Sequence, residues 1–191
     1  MVVSDNGNGV VTSNVAKVEC SESKNALCDV FPWDIIIKGK TNKRYDAVKY
    51  RKILLAWHKA LQYVCYYNTL NGNDIELGDY YIGFVFEDNV CAQRVEMSDG
   101  SVFYLINPSD LSFSDYGWKG IILEILARAI HEISHHFVHE HNGSFQEIQT
   151  SIRSWCHMYM DDIFYDLGLI VKSKEKDLMS NANLYEDFSI E

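Results

Sequence analysis

An α+β fold is predicted for this 191-residue chain by three observations. Apolar residues recur at three- and four-residue steps over residues 46–68, 116–139 and 144–167, the period of amphipathic helices. Between the first two of these stretches lie three runs rich in β-branched and aromatic residues: Tyr80–Phe86, Val90–Met97 and Val102–Ile106. The strands are grouped together instead of alternating with the helices. That order gives a helix, a three-stranded antiparallel-rich sheet, a long helix and a second helix packed as one α+β domain.

Residues 1–37 are rich in Ser, Asn, Gly and Asp and are expected to form a loosely ordered arm, with Phe31-Pro32-Trp33 and Ile35-Ile36-Ile37 as a short docking piece or strand. The domain proper is expected over 38–170. Its first helix carries Val48, Leu54, Trp57, Leu61, Val64 and Cys65 on one face and stops at Asn71-Gly72-Asn73-Asp74. Glu87-Asp88-Asn89 joins the first two strands as a hairpin, and Ser98-Asp99-Gly100 turns into the third, which Pro108 ends. Ser112, Ser114 or Asp115 can cap the long helix, whose stripe is Trp118, Ile121, Ile122, Ile125, Ala129, Ile133 and Phe137. Asn142-Gly143 breaks it. The next helix runs to about Leu167, with Gly168 suited to its C-terminus. Residues 171–191 mix charged and polar side chains and are expected to form a tail.

Composition narrows the function classes. Hydrophobic residues make up 47% and charged ones 23%, enough to build a core. With 17 basic and 27 acidic residues the net charge is −10, which excludes coating of nucleic acid or anionic membrane through bulk charge. The basic residues are nevertheless concentrated. Residues 38–52 hold Lys38, Lys40, Lys43, Arg44, Lys49, Arg51 and Lys52 against Asp46 alone. This stretch reads as a solvated face, with a local contact to DNA as its functional alternative. The five cysteines are odd in number and contain no CxxC pair, which fits a reducing, cytoplasmic setting. The N-terminal sequence lacks the pattern of a secretory signal. The most apolar stretch, residues 121–138, carries too many charged and histidine residues to span a membrane.

Six of the seven histidines fall between positions 131 and 157, and His131-Glu132-Ile133-Ser134-His135 is an HExxH sequence. On a helix, residues four apart share a face, so His131 and His135 can converge on one Zn²⁺. Glu132, about 100° further round, can reach a water molecule there and act as general base. A metal in that place acidifies water and polarises a carbonyl. Catalytic zinc usually takes three protein ligands, and the candidates for the third are His136, His139, His141, Glu147 and His157. His136 points away from His135. His139 lies about 12 Å along a straight helix from His131. His141 sits just past the expected helix end, where the Asn142-Gly143 reversal can fold it back. Glu147 is the candidate for holding an imidazole N–H.

The segment HEISHHFVHEHNGSF, an HExxH followed by five residues, His, three residues and Phe, resembles the SprT-like zinc metallopeptidases and their WLM/Spartan-type relatives. The match extends over Val102–Ile148. The resemblance implies a zincin-like minimal core. It makes His131, His135 and His141 the zinc ligands, Glu132 the catalytic base and Phe145 the aromatic that anchors the following helix beneath the site. It also implies that the strand containing Tyr104 and Ile106 is the edge strand beside a protein or peptide substrate, and that the substrates include proteins attached to DNA. The metzincin pattern would require Gly where Val138 stands, and a thermolysin-type site would require Glu where Trp155 stands. Two functions are therefore expected to compete. One is a zinc endopeptidase. The other is a catalytically silent zinc-containing module that binds nucleic acid or a protein partner. Cys20 or Cys28 capping the metal in a latent state is a minor further reading.

Overall fold

Helix α1, Ala47–Leu70, is the hub of the molecule. The computed structural model describes residues 15–18, 35–39, 47–72, 75–78, 80–97, 99–111 and 113–173. Within α1 every residue from Ile53 to Leu61 is buried, which places this helix inside the core and not on its surface. It packs on α2 (Phe113–Ser134), α3 (Gly143–Met158) and α4 (Met160–Lys172), and on its other side against the sheet. The Trp57 indole N–H donates to the Tyr104 carbonyl at 3.0 Å, so this fully buried ring leaves its polar atom satisfied. Gly72 adopts φ +82°, the left-handed turn that ends the helix.

The sheet has five strands: β1 (Val15–Val18), β2 (Ile35–Gly39), β3 (Tyr80–Phe86), β4 (Ala92–Glu96) and β5 (Val102–Ile106), in the order β1-β2-β3-β5-β4. The strands β3 and β5 span the residues the sequence predicts, but the expected hairpin does not form. β3 pairs in parallel with β5, with Tyr80 opposite Val102 and Phe84 opposite Ile106. β4 pairs antiparallel with β5 from the far side, with Arg94 opposite Tyr104. Burial explains the exchange. In β3, Ile82 and Phe84 join the helix-side core while Val85 joins a second cluster with Val95, Phe103 and Leu105 on the opposite face. A strand apolar on both faces belongs inside a sheet, whereas Gln93, Arg94 and Glu96 suit an edge.

Asn107 ties the crossover together. Its side-chain amide donates to the Glu87 and Val90 carbonyls at 3.0 and 2.8 Å, and its own N–H donates to the Cys91 carbonyl at 2.9 Å. A 3-10 turn at Pro108–Asp110 follows, capped by the same Asn107 side chain. β1 and β2 bring part of the expected N-terminal arm into the sheet, and the boundary expected between residues 37 and 38 falls inside β2. The expected tail begins within the last turn of α4. The Phe31-Pro32-Trp33 piece, Cys20, Cys28 and residues 174–191 lie outside the described residues, as do the side chains expected to cap α2.

The helices depart from expectation in four places, the first being Gly117 near the start of α2, whose backbone is non-helical (φ 59°, ψ −178°) and kinks the helix. α2 ends at Ser134 and not near His139. The His136 and Phe137 N–H groups donate to carbonyls three residues back, Ile133 and Ser134, a tightening that closes the helix. Phe137, expected in the apolar stripe, is exposed in that turn. The predicted single helix after Asn142 is broken at Tyr159 (φ −117°, ψ 21°), whose ring stacks on Tyr67 with centroids 4.2 Å apart. Gly168 is therefore not at a terminus but inside α4, where a Cβ would stand 3.0 Å from the Trp118 ring. Among the described residues no helix is long and apolar enough to cross a membrane.

Candidate metal centre

The last turn of α2 places His131 and His135 on one face, one above the other. The chain then turns through residues 135–142. Asn142 caps α3 by accepting the Phe145 N–H at 3.1 Å. That reversal carries His141 back over the end of α2. The His131 Nε2 atom lies 3.3 Å from His135 Nε2 and 3.1 Å from His141 Nε2, and ligating atoms of all three lie within 4.8 Å of one another. The three histidines expected as ligands thus converge.

The donor set fits a metal ion. In a tetrahedral site with Zn–N bonds of about 2.0–2.1 Å, ligand nitrogens stand about 3.3–3.4 Å apart. His135 Nδ1 is 3.2 Å from the Val138 carbonyl, which can accept only an N–H, so neutral His135 keeps its Nε2 lone pair toward the other rings. His131 Nδ1 is 3.1 Å from the Gln149 side-chain amide of α3. With that amide turned to present its oxygen, Nδ1 donates and Nε2 again carries a lone pair. In those tautomers the lone pairs of His131 and His135 face one another at 3.3 Å, and a cation between them would remove their repulsion.

Phe145 floors the cluster. It is 3% exposed, and its ring centroid lies 5.1, 4.6 and 4.7 Å from those of His131, His135 and His141. Burying such a side chain contributes about 1.5–3 kcal/mol. Here that burial also locks the start of α3 against all three imidazoles.

Glu132 turns from the histidines toward the sheet and is 4% exposed. Its Oε2 accepts the Arg94 backbone N–H at 2.7 Å. The direction of that N–H follows from register. Met97 N–H bonds to the Ser101 carbonyl and Asn107 N–H to the Cys91 carbonyl, so odd-numbered residues of β4 face β5. Ala92, Arg94 and Glu96 consequently point their main-chain groups outward, along the free edge. Glu132 is held to that edge by a charge-assisted bond. A cavity of about 250 Å³ opens beside His131 and Glu132, lined also by Ala92, Arg128, Gln149 and Arg153.

Tyr104 and Ile106 require a correction. β5 is not the edge strand but lies between β3 and β4, and both side chains are 0% exposed in the helix-side core. Among the described residues the edge strand at the site is β4. Burial pushes the Tyr104 hydroxyl up to about 12. His136 and His139 are exposed and stand outside the converging group, and His157 is exposed at the end of α3. Burial, followed by the positive charge of Arg94, holds His136 below the usual imidazole range. Glu147 is exposed, and the side chain that reaches a histidine ring from α3 is Gln149 instead, its Nε2 3.1 Å from His131 Nδ1. The signal for Gln149 lies in α3 itself: with Phe145 beneath the histidines, the residue four positions on shares its face. In the basic stretch, Arg51 is 3% exposed and the Lys52 ammonium donates to the Ser173 carbonyl, so neither offers a free charge to a phosphate. The side chains of Lys38, Lys40, Lys43, Arg44 and Lys49 lie outside the described residues.

Comparison with family models, with curated proteins and with solved structures finds no match to the chain. The fold and the site together define an α+β protein with a three-histidine group that can hold a metal ion.

Proposed function

We propose that the chain is a zinc-dependent metallopeptidase with a zincin-like core of the SprT type, and that it hydrolyses peptide bonds with Glu132 as general base. The observation that carries this reading is the placement of a buried carboxylate between three convergent imidazoles and the open edge of a strand. Zinc, when bound, would supply Lewis-acid polarisation of the scissile carbonyl and lower the pKa of water.

The protein's own groups carry the other tasks. His131, His135 and His141 hold the ion, and Gln149 and the Val138 carbonyl fix the tautomers of the first two. β4 points the main-chain groups of Ala92 and Glu96 and the Arg94 carbonyl outward, with the Arg94 N–H already taken by Glu132, and an extended peptide can add to these groups as a further strand. Glu132 accepts a proton from water and delivers it to the leaving amine. Its bond to the strand backbone keeps it beside the peptide that the strand would hold.

Glu132→Gln is the deciding variant. The Gln oxygen can still accept the Arg94 N–H, so fold and metal content should persist at about one zinc per chain while cleavage of casein or of the chain itself is lost. Retained cleavage would remove Glu132 from the mechanism. A biological activity that survives the substitution in a zinc-replete protein would favour the silent binding module. Single-stranded DNA added to the same assay separates a protease of DNA-attached proteins, which it should stimulate, from a plain protease.

A further inference from the structure

The cavity beside the site carries a chemical preference that the hydrolytic machinery does not use. Two guanidinium groups line it, Arg128 from α2 and Arg153 from α3. Arg128 is 7% exposed. Its Nη2 atom is held by Asp110 at 3.0 Å and by Glu124, which also lines the cavity, at 3.4 Å. These two carboxylates fix the group and balance its charge, yet Nη1 is buried with no hydrogen-bond partner. A buried donor without an acceptor is costly, and a ligand oxygen would relieve it. Arg153 is exposed and makes no ion pair among the described residues. A fixed donor and a cation with no ion pair among the described residues therefore flank the same space.

Strand direction says which part of a substrate reaches them. Cys91 and Ala92 line the cavity with Glu124 and Arg128, and further along both elements the Arg94 N–H meets Glu132. β4 thus runs in the same sense as α2. A peptide adding antiparallel to β4 runs the opposite way, with its N-terminal part beside Glu96 and its C-terminal part beside Ala92 and the two arginines. We infer that this cavity selects substrates bearing a carboxylate just C-terminal to the scissile bond, either an Asp or Glu side chain or the free C-terminus of a short peptide. The inference rests on the metallopeptidase reading for its sense of substrate direction, and on the cavity alone for its preference.

Binding can be measured without turnover. The probes are two fluorescent peptide libraries, identical except that one carries Glu wherever the other carries Gln, each in free-acid and amidated form. They are titrated by anisotropy against full-length, zinc-loaded Glu132→Gln protein. A charge-assisted contact should make the carboxylate form bind about tenfold tighter or more. The net charge of −10 opposes such a preference elsewhere on the protein, so it reports a local site. Glu over Gln assigns the side chain as the source, and acid over amide assigns the terminus. Arg153→Gln, on an exposed position, should collapse the ratio toward one. Arg128→Lys tests the buried partner, provided circular dichroism shows it folded. Equal binding of all four libraries, or a preference indifferent to Arg153→Gln, overturns the inference. Cleavage by the wild-type chain is scored separately by mass spectrometry on the same libraries. Acid-selective binding without cleavage would leave the cavity assignment standing and remove the peptidase. Cleavage with no acidic preference would do the reverse.

Discussion

Replacing His141 separates what the metal contributes from what the fold contributes. The side chain is exposed in the turn between α2 and α3, so His141→Ala should change the stability of the metal-free protein by no more than about 0.5 kcal/mol. Its consequence for the metal is large. Structural zinc sites bind with about 10–16 kcal/mol, which shared among four ligand positions is roughly 2.5–4 kcal/mol each. Losing one should weaken zinc about 10²–10³-fold. An ion that binds only the folded chain stabilises it by RT ln(1 + [Zn]/Kd), so at free zinc well above both dissociation constants the stabilisation should fall by the same roughly 2.5–4 kcal/mol. For a chain of this size that lowers the melting temperature by about 5–16 °C. Thermal melts of wild type and variant with zinc and with chelator, paired with elemental analysis, give four curves. The chelated pair should coincide and the zinc pair should not. A wild-type melt indifferent to zinc, or a variant that retains one zinc per chain at wild-type affinity, would refute the assignment of these histidines to a metal.

Three further outcomes follow from the same geometry. Gln149→Leu should cost about 10–100-fold in zinc affinity by releasing His131 Nδ1, measured by competition with a chromophoric chelator, and Gln149→Glu should recover it. Alkaline stability should decline from about pH 9. Burial pushes the Cys65 and Cys156 thiols from 9.0 up to about 12 and the Tyr104 hydroxyl from 10.0 up to about 12. Raised values stabilise the protonated folded state, so the contribution is whole below pH 9 and is lost as pH climbs toward 12. A urea midpoint flat between pH 8 and 11 would contradict this. Gly168→Ala should destabilise by about 1 kcal/mol, although helix propensity alone would gain about that much. The new methyl meets the Trp118 ring, which is clamped by Phe164 and by Lys172 Nζ 4.3 Å from its centroid. A stabilised variant would show that the ring yields.

The local features of this molecule are legible in its sequence, and the long-range ones are less so. Helical periodicity places α1 within two residues, and the alternation of turn residues and apolar runs gives the ends of β3 and β5. The HExxH spacing and the turn after it bring His141 to the right place because both are matters of a few residues of backbone geometry. Strand partnership is not local. Adjacent runs such as Tyr80–Phe86 and Val90–Met97 favour a hairpin, and only the burial of both faces of β3 decides for a parallel pairing. The clue was present in the composition of the two strands: Tyr80–Phe86 has no charged residue, whereas Gln93, Arg94 and Glu96 mark β4 as the exposed edge. The break at Tyr159 arises from stacking on Tyr67, ninety-two positions earlier in the chain, which no window of sequence contains. The place of Phe145 beneath the histidines follows from the resemblance, and Gln149, four positions on along the same helix face, is legible once Phe145 is placed.

The bond from the Arg94 N–H to Glu132 has a consequence for how the site can drift. Its donor belongs to the main chain, so any residue at position 94 except proline presents it, and the arginine side chain is at liberty to pair with Glu96 instead. The orientation of the carboxylate is thereby insulated from substitution at its nearest neighbour. It is exposed to a different hazard. A slip of β4 by one residue against β5 would turn that N–H toward β5 and leave a buried carboxylate facing the wrong atoms. The loop of Asn107 bonds that sets where β4 begins is therefore as much a determinant of this site as the histidines.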